Sequence, residues 1–524
     1  MSQATSPVLH YESRGPAGHG RLFAGCFISL VATAFGFVVR GMVITEWGTV
    51  FNLSETQKGS IIGAGLFPFA ISIILFSLFI DRLGYGRTMI FAWVAHVVST
   101  VLTILAQNYL MLYLGTLLFA LANGAVEAVI NPVTATLYPK EKTKYLNILH
   151  AGWPGGMVLA GILAISLGSA PWELKVGLVL LPTLVYGILL FGQPFPVHER
   201  VAAGVSYADM MREFGAAGCF IVAYFLTMAF MTVSTVFLPP DTALPGWTVW
   251  LPLIVSVVAA VAFFAAYQSF GRPMFVFLLV VMILLATTEL GVDSWVVDLM
   301  TPVLMSFSAK GGAMLLVYTA VIMTVLRFCA GPIVHQLSPL GLLATCAAIA
   351  ALGLLFLSAA STPLLVFLAA TMYGVGKTFF WPTTLGVVAE QFPKGGALTL
   401  NAMGGMGMIA VGVLGGPLLG TLQDRALDQN LERKNTAIHT LVAREPTSNF
   451  GISYRPLDKS RIAALPKEQQ DEVNKVIEET KHGMLGRVAV LPAIMFICYI
   501  GLIIYFKARG GYTVQQLSAQ QSSA

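Results

Sequence analysis

Charged residues are scarce in this sequence of 524 residues, because Asp, Glu, Lys and Arg together make up only 10% of it. A soluble globular chain carries about 25% charged residues, so this chain has too little charge to cover the surface of a soluble protein of its size. The shortage excludes a soluble enzyme, a disordered chain and a nucleic-acid-binding module. The net charge of +5 does not change this, because Lys and Arg stand in short runs between long apolar stretches.

Cysteine and the common catalytic motifs are also lacking. The five cysteines show no CxxC or other ligand spacing, so we expect neither a disulfide framework nor a metal site. No GxxxxGK[ST] loop is present, so ATP is not expected to drive this protein. We find no nucleophile–base pair and no cofactor motif, and we therefore expect no enzyme activity and no cofactor.

Apolar residues dominate instead, at 56% of the chain with a mean hydropathy of +0.79. A membrane-spanning helix needs about 20 apolar residues, and the sequence predicts an all-α membrane protein with about fourteen such helices. Their expected bounds are 21–47, 57–80, 88–106, 109–137, 143–169, 172–192, 216–237, 246–269, 273–300, 311–334, 340–359, 363–391, 396–422 and 485–507.

The basic residues of the short loops predict the orientation. With both termini in the cytoplasm, the Lys and Arg residues of these loops fall on the cytoplasmic side: Arg82, Arg87, Lys140, Lys142, Lys144, Arg200, Arg212, Arg272, Lys507 and Arg509. Residues 1–20 contain no apolar core typical of a cleaved signal peptide, so the first span is expected to serve as the signal.

The regions between the spans complete the predicted organisation. Residues 423–484 carry many of the charges, with helical patterns at 424–445 and 466–481, and we interpret them as a solvated extracytoplasmic loop, with a lid over the outer mouth as the alternative. The predicted segments are a cytoplasmic tail (1–20), a six-helix half (21–192), a cytoplasmic linker (193–215), two inserted helices (216–269), five helices of a second half (273–422), the charged loop (423–484), the last span (485–507) and a cytoplasmic tail (508–524).

An internal repeat supports the division into two halves. Spans four and twelve each carry a glycine three residues before a charged residue, Glu127 or Lys377, and a proline five residues after it. We therefore interpret 21–192 and 273–507 as two homologous six-helix halves that are separated by the inserted pair of helices.

The loop between spans two and three reads Asp81-Arg-Leu-Gly-Tyr-Gly-Arg87, and it resembles the signature loop of the major facilitator superfamily. Ser77 stands where the superfamily usually has a glycine. The resemblance implies two six-helix halves that rock around a central site. It also implies a conformational lock, made by hydrogen bonds between this charged turn and neighbouring helix ends and carried by Asp81, Arg82, Gly84 and Arg87.

Two helices resemble one branch of that superfamily, the fucose/galactose/glucose–proton symporters. Span four, with Glu127 and its final Asn131-Pro, resembles the Glu-containing helix of the branch, and the segment Glu289-Leu-Gly-Val-Asp293-Ser-Trp295 resembles the helix that opens its second half. In span one, Arg40-Gly stands where the branch carries Asn-Asp. The resemblance implies a sugar or sugar-like solute, carried together with a proton.

Ionisable side chains inside the membrane are the main candidates for a functional site, because each costs about 2.5–3.5 kcal/mol to insert. The resemblance implies that spans one, four, nine and twelve line the central cavity. These spans carry Arg40, Glu127, Glu289, Asp293 and Lys377.

Glu127 is the first candidate for proton coupling, because it forms a polar stripe with Asn123 and Asn131 at four-residue spacing. A carboxyl group away from water favours its protonated form, so it can take up and release a proton. The alternative is a permanent salt bridge with Arg40 or Lys377. Glu289 and Asp293, one helical turn apart, are further candidates, unless one of them is a helix-end residue in water.

Substrate contacts are expected from polar and aromatic side chains near these charges. Lys377 is predicted either to bind an anionic substrate or to neutralise Glu127, and His150 opens a cavity-adjacent helix. Arg327, which precedes the second copy of the signature loop, is expected to anchor cytoplasmic helix ends. His96 has no obvious partner in the sequence, and a packed or lipid-facing position is expected for it rather than a proton relay. The predicted substrate-binding residues are Arg40, Asn123, Asn131, His150, Trp295, Tyr373, Lys377 and Trp381.

Together these features predict a secondary active transporter in the cell membrane. We expect a monomer that moves a small polar solute, a sugar or sugar-like molecule, by alternating access, with the proton as coupling ion. The first alternative is a symporter or exchanger of small organic anions that uses Arg40 and Lys377. The second alternative is a membrane sensor that binds a ligand without transporting it.

Overall fold

The computed structural model describes residues 16–53, 55–235, 245–308, 311–449 and 451–517. Within these residues fourteen helices are long and apolar enough to cross a membrane, which confirms the predicted number. Their order and approximate bounds also follow the hydropathy pattern, because a backbone in lipid must satisfy its own hydrogen bonds and therefore forms helices.

Spans one to eight lie in the first half of the chain. They consist of α1 (Pro16–Val50), α2 with α3 (Glu55–Ala64 and Phe67–Leu83), α4 (Tyr85–Ile104), α5 (Tyr109–Leu137), α6 with α7 (Lys142–His150 and Gly152–Ser166), α8 with α9 (Trp172–Gly177 and Leu180–Leu190), α11 (Tyr207–Thr235) after the short α10 (Glu199–Ala202), and α12 (Leu251–Tyr267) after a 3-10 turn (Gly246–Trp250).

Spans nine to fourteen and the segment before the last span complete the fold. Spans nine to twelve consist of α13 (Pro273–Ala286), a π-helical segment (Thr287–Gly291) and α14 (Val292–Leu304); α15 (Gly311–Phe328) and α16 (Ala330–Leu337); α17 (Pro339–Ala359); and α18 (Pro363–Lys377) and α19 (Phe380–Gln391). Span thirteen consists of a 3-10 turn (Pro393–Gly395), α20 (Gly396–Ile409), a second π-helical segment (Ala410–Gly415) and α21 (Gly416–Lys434). The segment that follows contains α22 (Thr436–Val442), β1 (Thr447–Asn449), β2 (Ile452–Tyr454), α23 (Lys459–Ala463) and α24 (Lys467–Val488), and the last span is α25 (Val490–Lys507).

The region predicted as a polar linker, 193–215, is more ordered than its composition suggested. It contains α10, and its last part already belongs to α11, which bends at Gly215, where φ is +68°. His198 begins α10 by accepting a hydrogen bond from the amide of Arg200 on its side chain. The linker thus forms a short helix that lies against the transmembrane helices.

The charged segment before the last span folds around its own apolar core. Five buried side chains form this core: Leu431, Ile438, Val442, Val473 and Val476. β1 and β2 pair as an antiparallel hairpin, and Asn435 ends α21 and caps α22 by accepting from the amide of Ile438. We name residues 423–484 the cap; its described residues form a folded unit that includes much of α21 and α24.

The two six-helix sets, spans one to six and spans nine to fourteen, are called here the N-terminal and C-terminal halves. They meet most closely where α6 packs against α19 and α20 packs against α3. The loop 81–87, the start of α6 and the end of α19 all lie at this end of the bundle, which we call the motif end. Between this end and the cap, buried side chains of both halves form one continuous apolar core.

Candidate functional site

The halves are joined at the motif end by a dense set of polar contacts. Glu390 Oε1 accepts from the hydroxyl of Thr143 at 2.6 Å and from its amide at 3.3 Å. Lys142 donates to the carbonyl of Ala389 at 3.2 Å, and Asn401 donates to the carbonyl of Ala128 at 3.0 Å. These bonds join α6 and α5 of one half to α19 and α20 of the other, so the motif end is closed.

The C-terminal tail takes part in this closure. The hydroxyl of Tyr512 donates to Glu390 Oε2 at 2.7 Å, and the amide of Gln515 donates to the carbonyl of Glu390 at 2.9 Å. Glu390 therefore binds the N-terminal half through one carboxylate oxygen and the tail through the other. Sequence reasoning did not single out Glu390, because its partners come from distant parts of the chain.

The predicted lock residues lie at the same end and contact the linker. Asp81 forms an ion pair with Arg200 of α10, the guanidinium of Arg82 lies 5.8 Å from the ring centre of Tyr207, and Arg87 is exposed. Gly84 turns the chain with φ of +83°, a conformation that favours glycine. The loop is thus tied to the linker, a partner that the sequence did not indicate.

A small central cavity lies between the halves. Its volume is about 30 Å³, room for about two water molecules and far less than a sugar ring needs. Its walls combine two acidic residues, one arginine, one histidine and two tryptophans with apolar side chains: Glu127, Glu289, Arg327, His150, Trp153, Trp381, Phe69, Leu290 and Met408. The structure thus brings Glu127, Glu289, His150 and Trp381 together, as the sequence predicted for a site.

Glu127 and His150 are linked through one amide side chain. Asn131 Nδ2 donates to Glu127 Oε2 at 2.6 Å, and His150 Nε2 lies 2.9 Å from Asn131 Oδ1. Because the amide oxygen can only accept, His150 Nε2 carries the hydrogen. The stripe predicted on span four therefore continues into span five as a chain of hydrogen bonds.

Arg327 anchors the ends of α18 and α6, and it also lines the central cavity, which the sequence did not predict. Its guanidinium pairs with Glu289 at 3.0 Å and donates to the carbonyl of Thr378 at 2.7 Å and to that of His150 at 2.8 Å. The last bond crosses to the N-terminal half. Arg327 is buried, because three acceptors replace the water that its charge would otherwise bind.

Glu289 lies in the π-helical segment of span nine. Such segments are rare and are frequent at functional sites, and this one leaves the carbonyl of Thr288 to accept from the hydroxyl of Tyr373 at 2.7 Å. Glu289 Oε1 is bound by Arg327, whereas its buried Oε2 has no hydrogen-bond partner among the described residues. One oxygen of this carboxyl group is therefore free to take a proton or a ligand.

Lys377 and Asp293 form a second buried ion pair, and the ammonium of Lys377 lies 5.1 Å from the ring centre of Tyr373. Neither charged residue lines the cavity. Lys377 is thus bound to a carboxylate of its own half and does not pair with Glu127.

The remaining predicted contacts lie outside the cavity lining. Arg40 is half-buried, with its guanidinium 3.9 Å from the ring centre of Phe119. Asn123 binds His96 at 2.8 Å, and His96 also contacts the hydroxyl of Tyr186 at 2.9 Å. His96 is thus a buried, packed residue with two partners that the sequence did not indicate. Trp295 is half-buried beside Gly420.

Within the described residues, no group of three His, Cys, Asp or Glu side chains is arranged as metal ligands would be. The site therefore consists of acid, base, guanidinium and aromatic groups around a small cavity. Such groups can bind hydroxyl-rich solutes and can hold or release protons.

Comparison with known families and curated proteins gives two matches. The sequence model of the Major Facilitator Superfamily matches residues 23–322. A hexuronate transporter of Bacillus subtilis (strain 168) is 25% identical over 142 residues, which is 27% of this chain. The match spans about a third of that relative's length (34%).

Several solved structures share the architecture. The human organic anion transporter MFSD10 aligns with a TM-score of 0.58 at 12% identity, over 93% of this chain and 100% of its own. The proton:xylose symporter XylE of E. coli aligns with a TM-score of 0.59 at 13% identity, over 93% of this chain and 97% of its own. The E. coli fucose:proton symporter FucP aligns with a TM-score of 0.56 at 14% identity, over 92% of this chain and 98% of its own. At sequence identities of 12–14%, these alignments show a shared fold and nothing about substrate.

Proposed function

The chain belongs to the major facilitator superfamily, a family of membrane transporters, and on that premise we propose that it is a proton-coupled symporter of a sugar or sugar-like solute. It is a multi-pass protein of the cell membrane with fourteen candidate spans. The proposal includes the orientation with both termini in the cytoplasm, so that the motif end faces the cytoplasm and the cap lies outside.

The central cavity is the observation that carries this proposal. Trp153 and Trp381 line it, and aromatic faces suit the apolar faces of sugar rings. Carboxylate, imidazole and guanidinium groups beside them supply the hydrogen-bond partners that hydroxyl groups need. With the motif end closed, the cavity of about 30 Å³ is smaller than a hexose, so we expect substrate binding to require a rearrangement that enlarges it.

Proton coupling is proposed for Glu127, because it lines the cavity and its carboxylate accepts a hydrogen bond from the neutral amide of Asn131. A carboxyl group without a cationic partner is neutralised by a proton at low cost, and that change of charge is what coupling requires. The relatives named as proton symporters of xylose and fucose agree with this proposal.

A sugar acid or another organic anion is the second candidate substrate. The hexuronate and organic anion transporters among the similar proteins favour it, and Arg327 reaches the cavity. The residues first considered for an anion, Arg40 and Lys377, lie outside the cavity lining. Because Glu289 already neutralises Arg327, a neutral solute fits the charge of the cavity better.

Uptake into vesicles tests the proposal. We expect the reconstituted protein to concentrate labelled hexoses when an inward proton gradient is imposed, and Glu127→Gln to abolish concentration while exchange of hexose across the membrane continues. Glu46→Gln is the matched control, because Glu46 pairs with Lys175 at 3.0 Å, away from the cavity.

The outcomes separate the candidates. Concentration of hexuronates but not of hexoses would favour the second candidate. Unchanged gradient-driven concentration by Glu127→Gln would refute the coupling role of Glu127. Specific hexose binding without flux in either direction would favour a sensor.

A further inference from the structure

The central cavity joins two carboxyl groups on opposite halves and a single guanidinium. Glu127 belongs to span four, whereas Glu289 and Arg327 belong to spans nine and ten. All three line the same cavity of about 30 Å³. Arg327 is ion-paired with Glu289 in the described conformation, so Glu127 lacks this counter-ion although it lies in the same cavity.

The charges of this group balance only when one proton is present. Two carboxylates and one guanidinium carry a net charge of −1, and an uncompensated charge in a closed, mostly apolar site is costly. One proton shared between Glu127 and Glu289 makes the group neutral. The carboxyl group that holds the proton is then the one that does not bind Arg327.

The other ionisable groups near Glu289 do not supply the positive charge that the second carboxylate lacks. Lys377 and Asp293 already neutralise each other, and His150 donates from Nε2 to Asn131 as a neutral ring can. The titratable and charged groups that face Glu289 from the packed elements are Arg327, Lys377, Asp293, Tyr373, Tyr499, Cys346, Glu127 and His150.

Arg327 also connects the halves physically. It donates to the carbonyl of His150 in the N-terminal half while its other bonds go to Glu289 and Thr378 in the C-terminal half. A change in the carboxylate that Arg327 binds therefore changes the bonds that hold the halves together at the level of the cavity.

We propose that Arg327 is a positioning residue that Glu127 and Glu289 share as alternating counter-ion, so that the location of one proton sets the conformation. With the proton on Glu127, Arg327 binds Glu289 and the motif end is closed, as described. When Glu127 loses its proton and Glu289 gains one through cavity water, Arg327 moves to Glu127. Only O–H bonds are broken and formed, and Arg327 stays charged. This inference rests on the proposed proton coupling.

Distances across the motif end test the exchange without measuring transport. Spin labels at Lys140 and Gln336, two exposed positions on opposite halves, are introduced into the full chain after replacement of its native cysteines. We expect Glu289→Gln, which mimics the protonated group, to raise the ratio of open to closed molecules by about fivefold or more. Glu127→Gln, which mimics the protonated Glu127, should lower that ratio.

The ion pair of Lys377 and Asp293 provides the matched control. Asp293→Asn combined with Lys377→Gln removes a neutral pair from spans nine and twelve, and it should leave the ratio of open to closed molecules unchanged. If the two glutamine variants shift the ratio in the same direction, or leave it unchanged, the inference is overturned. If Glu289→Gln does not fold, Glu127→Gln decides the question, and a ratio that is not lower than in the wild type overturns the inference.

The failure of this inference can be distinguished from failure of the proposed function. The same preparations are reconstituted and assayed for uptake driven by a proton gradient. Wild-type protein that couples uptake to protons but shows no opposite shifts contradicts only the exchange of Arg327. Wild-type protein without coupling contradicts the proposed function itself.

Discussion

Gly386 on α19 offers a direct way to disturb the closed motif end. A methyl group at this position would lie 2.3 Å from the Thr143 hydroxyl oxygen and 2.8 Å from the Thr143 Cα atom. Both distances are too short for non-bonded atoms, and Cα belongs to the backbone of the other half. Gly386→Ala therefore acts as a wedge between the halves in the closed conformation.

The size of the effect follows from the cost of overpacking. Inserting a methyl group into a packed interface costs about 1–3 kcal/mol, and here the cost falls only on the conformation in which α6 and α19 touch. That corresponds to a decrease of about 5- to 150-fold in the ratio of closed to open molecules. The gain in helix propensity from glycine to alanine, about 1 kcal/mol, is common to both conformations and does not alter the ratio.

The spin-label pair at Lys140 and Gln336 measures this ratio. Gly161→Ala is the control, because Gly161 lies on span five and a methyl group there has nothing within 4 Å; it shares the propensity gain without the collision. An unchanged distance distribution in Gly386→Ala, with normal thermal stability, would refute the conclusion that the halves are in contact at this position.

Two further predictions concern the linker and the tail. Burial, followed by the charges of Arg200 and Lys142, lowers the pKa of His198 to about 3, so the docking of the linker is fully stable above the unfolded value near 6.5 and weakens as pH falls below it, by about 2 kcal/mol at pH 5. Hydrogen exchange at 198–205, corrected for intrinsic rates, should therefore accelerate between pH 8 and pH 5 in the wild type. The acceleration should be smaller in His198→Asn, which retains a capping side chain. Equal acceleration in both proteins would contradict the role of His198. Tyr512→Phe removes a hydrogen bond to Glu390 worth about 1.5–3 kcal/mol, and a spin label at Val514 should become more mobile, whereas unaltered mobility would show that the tail is held by other contacts.

The sequence predicted the spans well because membrane insertion imposes a simple rule on length and polarity. It also indicated that Glu127, Glu289 and His150 lie near a central cavity, because each ionisable side chain in an apolar run needs a cavity or a partner. Partners are harder to predict, because they depend on how helices far apart in the chain are rotated against each other. Lys377 illustrates this: its repeat position suggested a pair with Glu127, whereas it binds Asp293.

The place of Arg327 in the cavity was missed for a related reason. It lies at the end of an apolar run, a position typical of a residue in water, but Glu289 and two carbonyl groups accept its hydrogen bonds inside the protein. The π-helical segments left no clear pattern in the sequence either. For the cap a signal existed, since Val473 and Val476 are three residues apart on one helical face, but the high charge of the segment obscured it.

In the proposed orientation, the cap is the outward continuation of the last two spans. α24 and α25 run almost without interruption over 41 residues, Lys467–Lys507, which is about 60 Å of helix and twice the thickness of the membrane core. The hydrogen bond between Asn430 and Thr480, 2.9 Å long, ties α24 to α21. A tilt of about 10° within the membrane would displace the far end of this extension by about 5 Å. A binder raised against the cap would therefore sense, from outside the cell, which way the transporter faces.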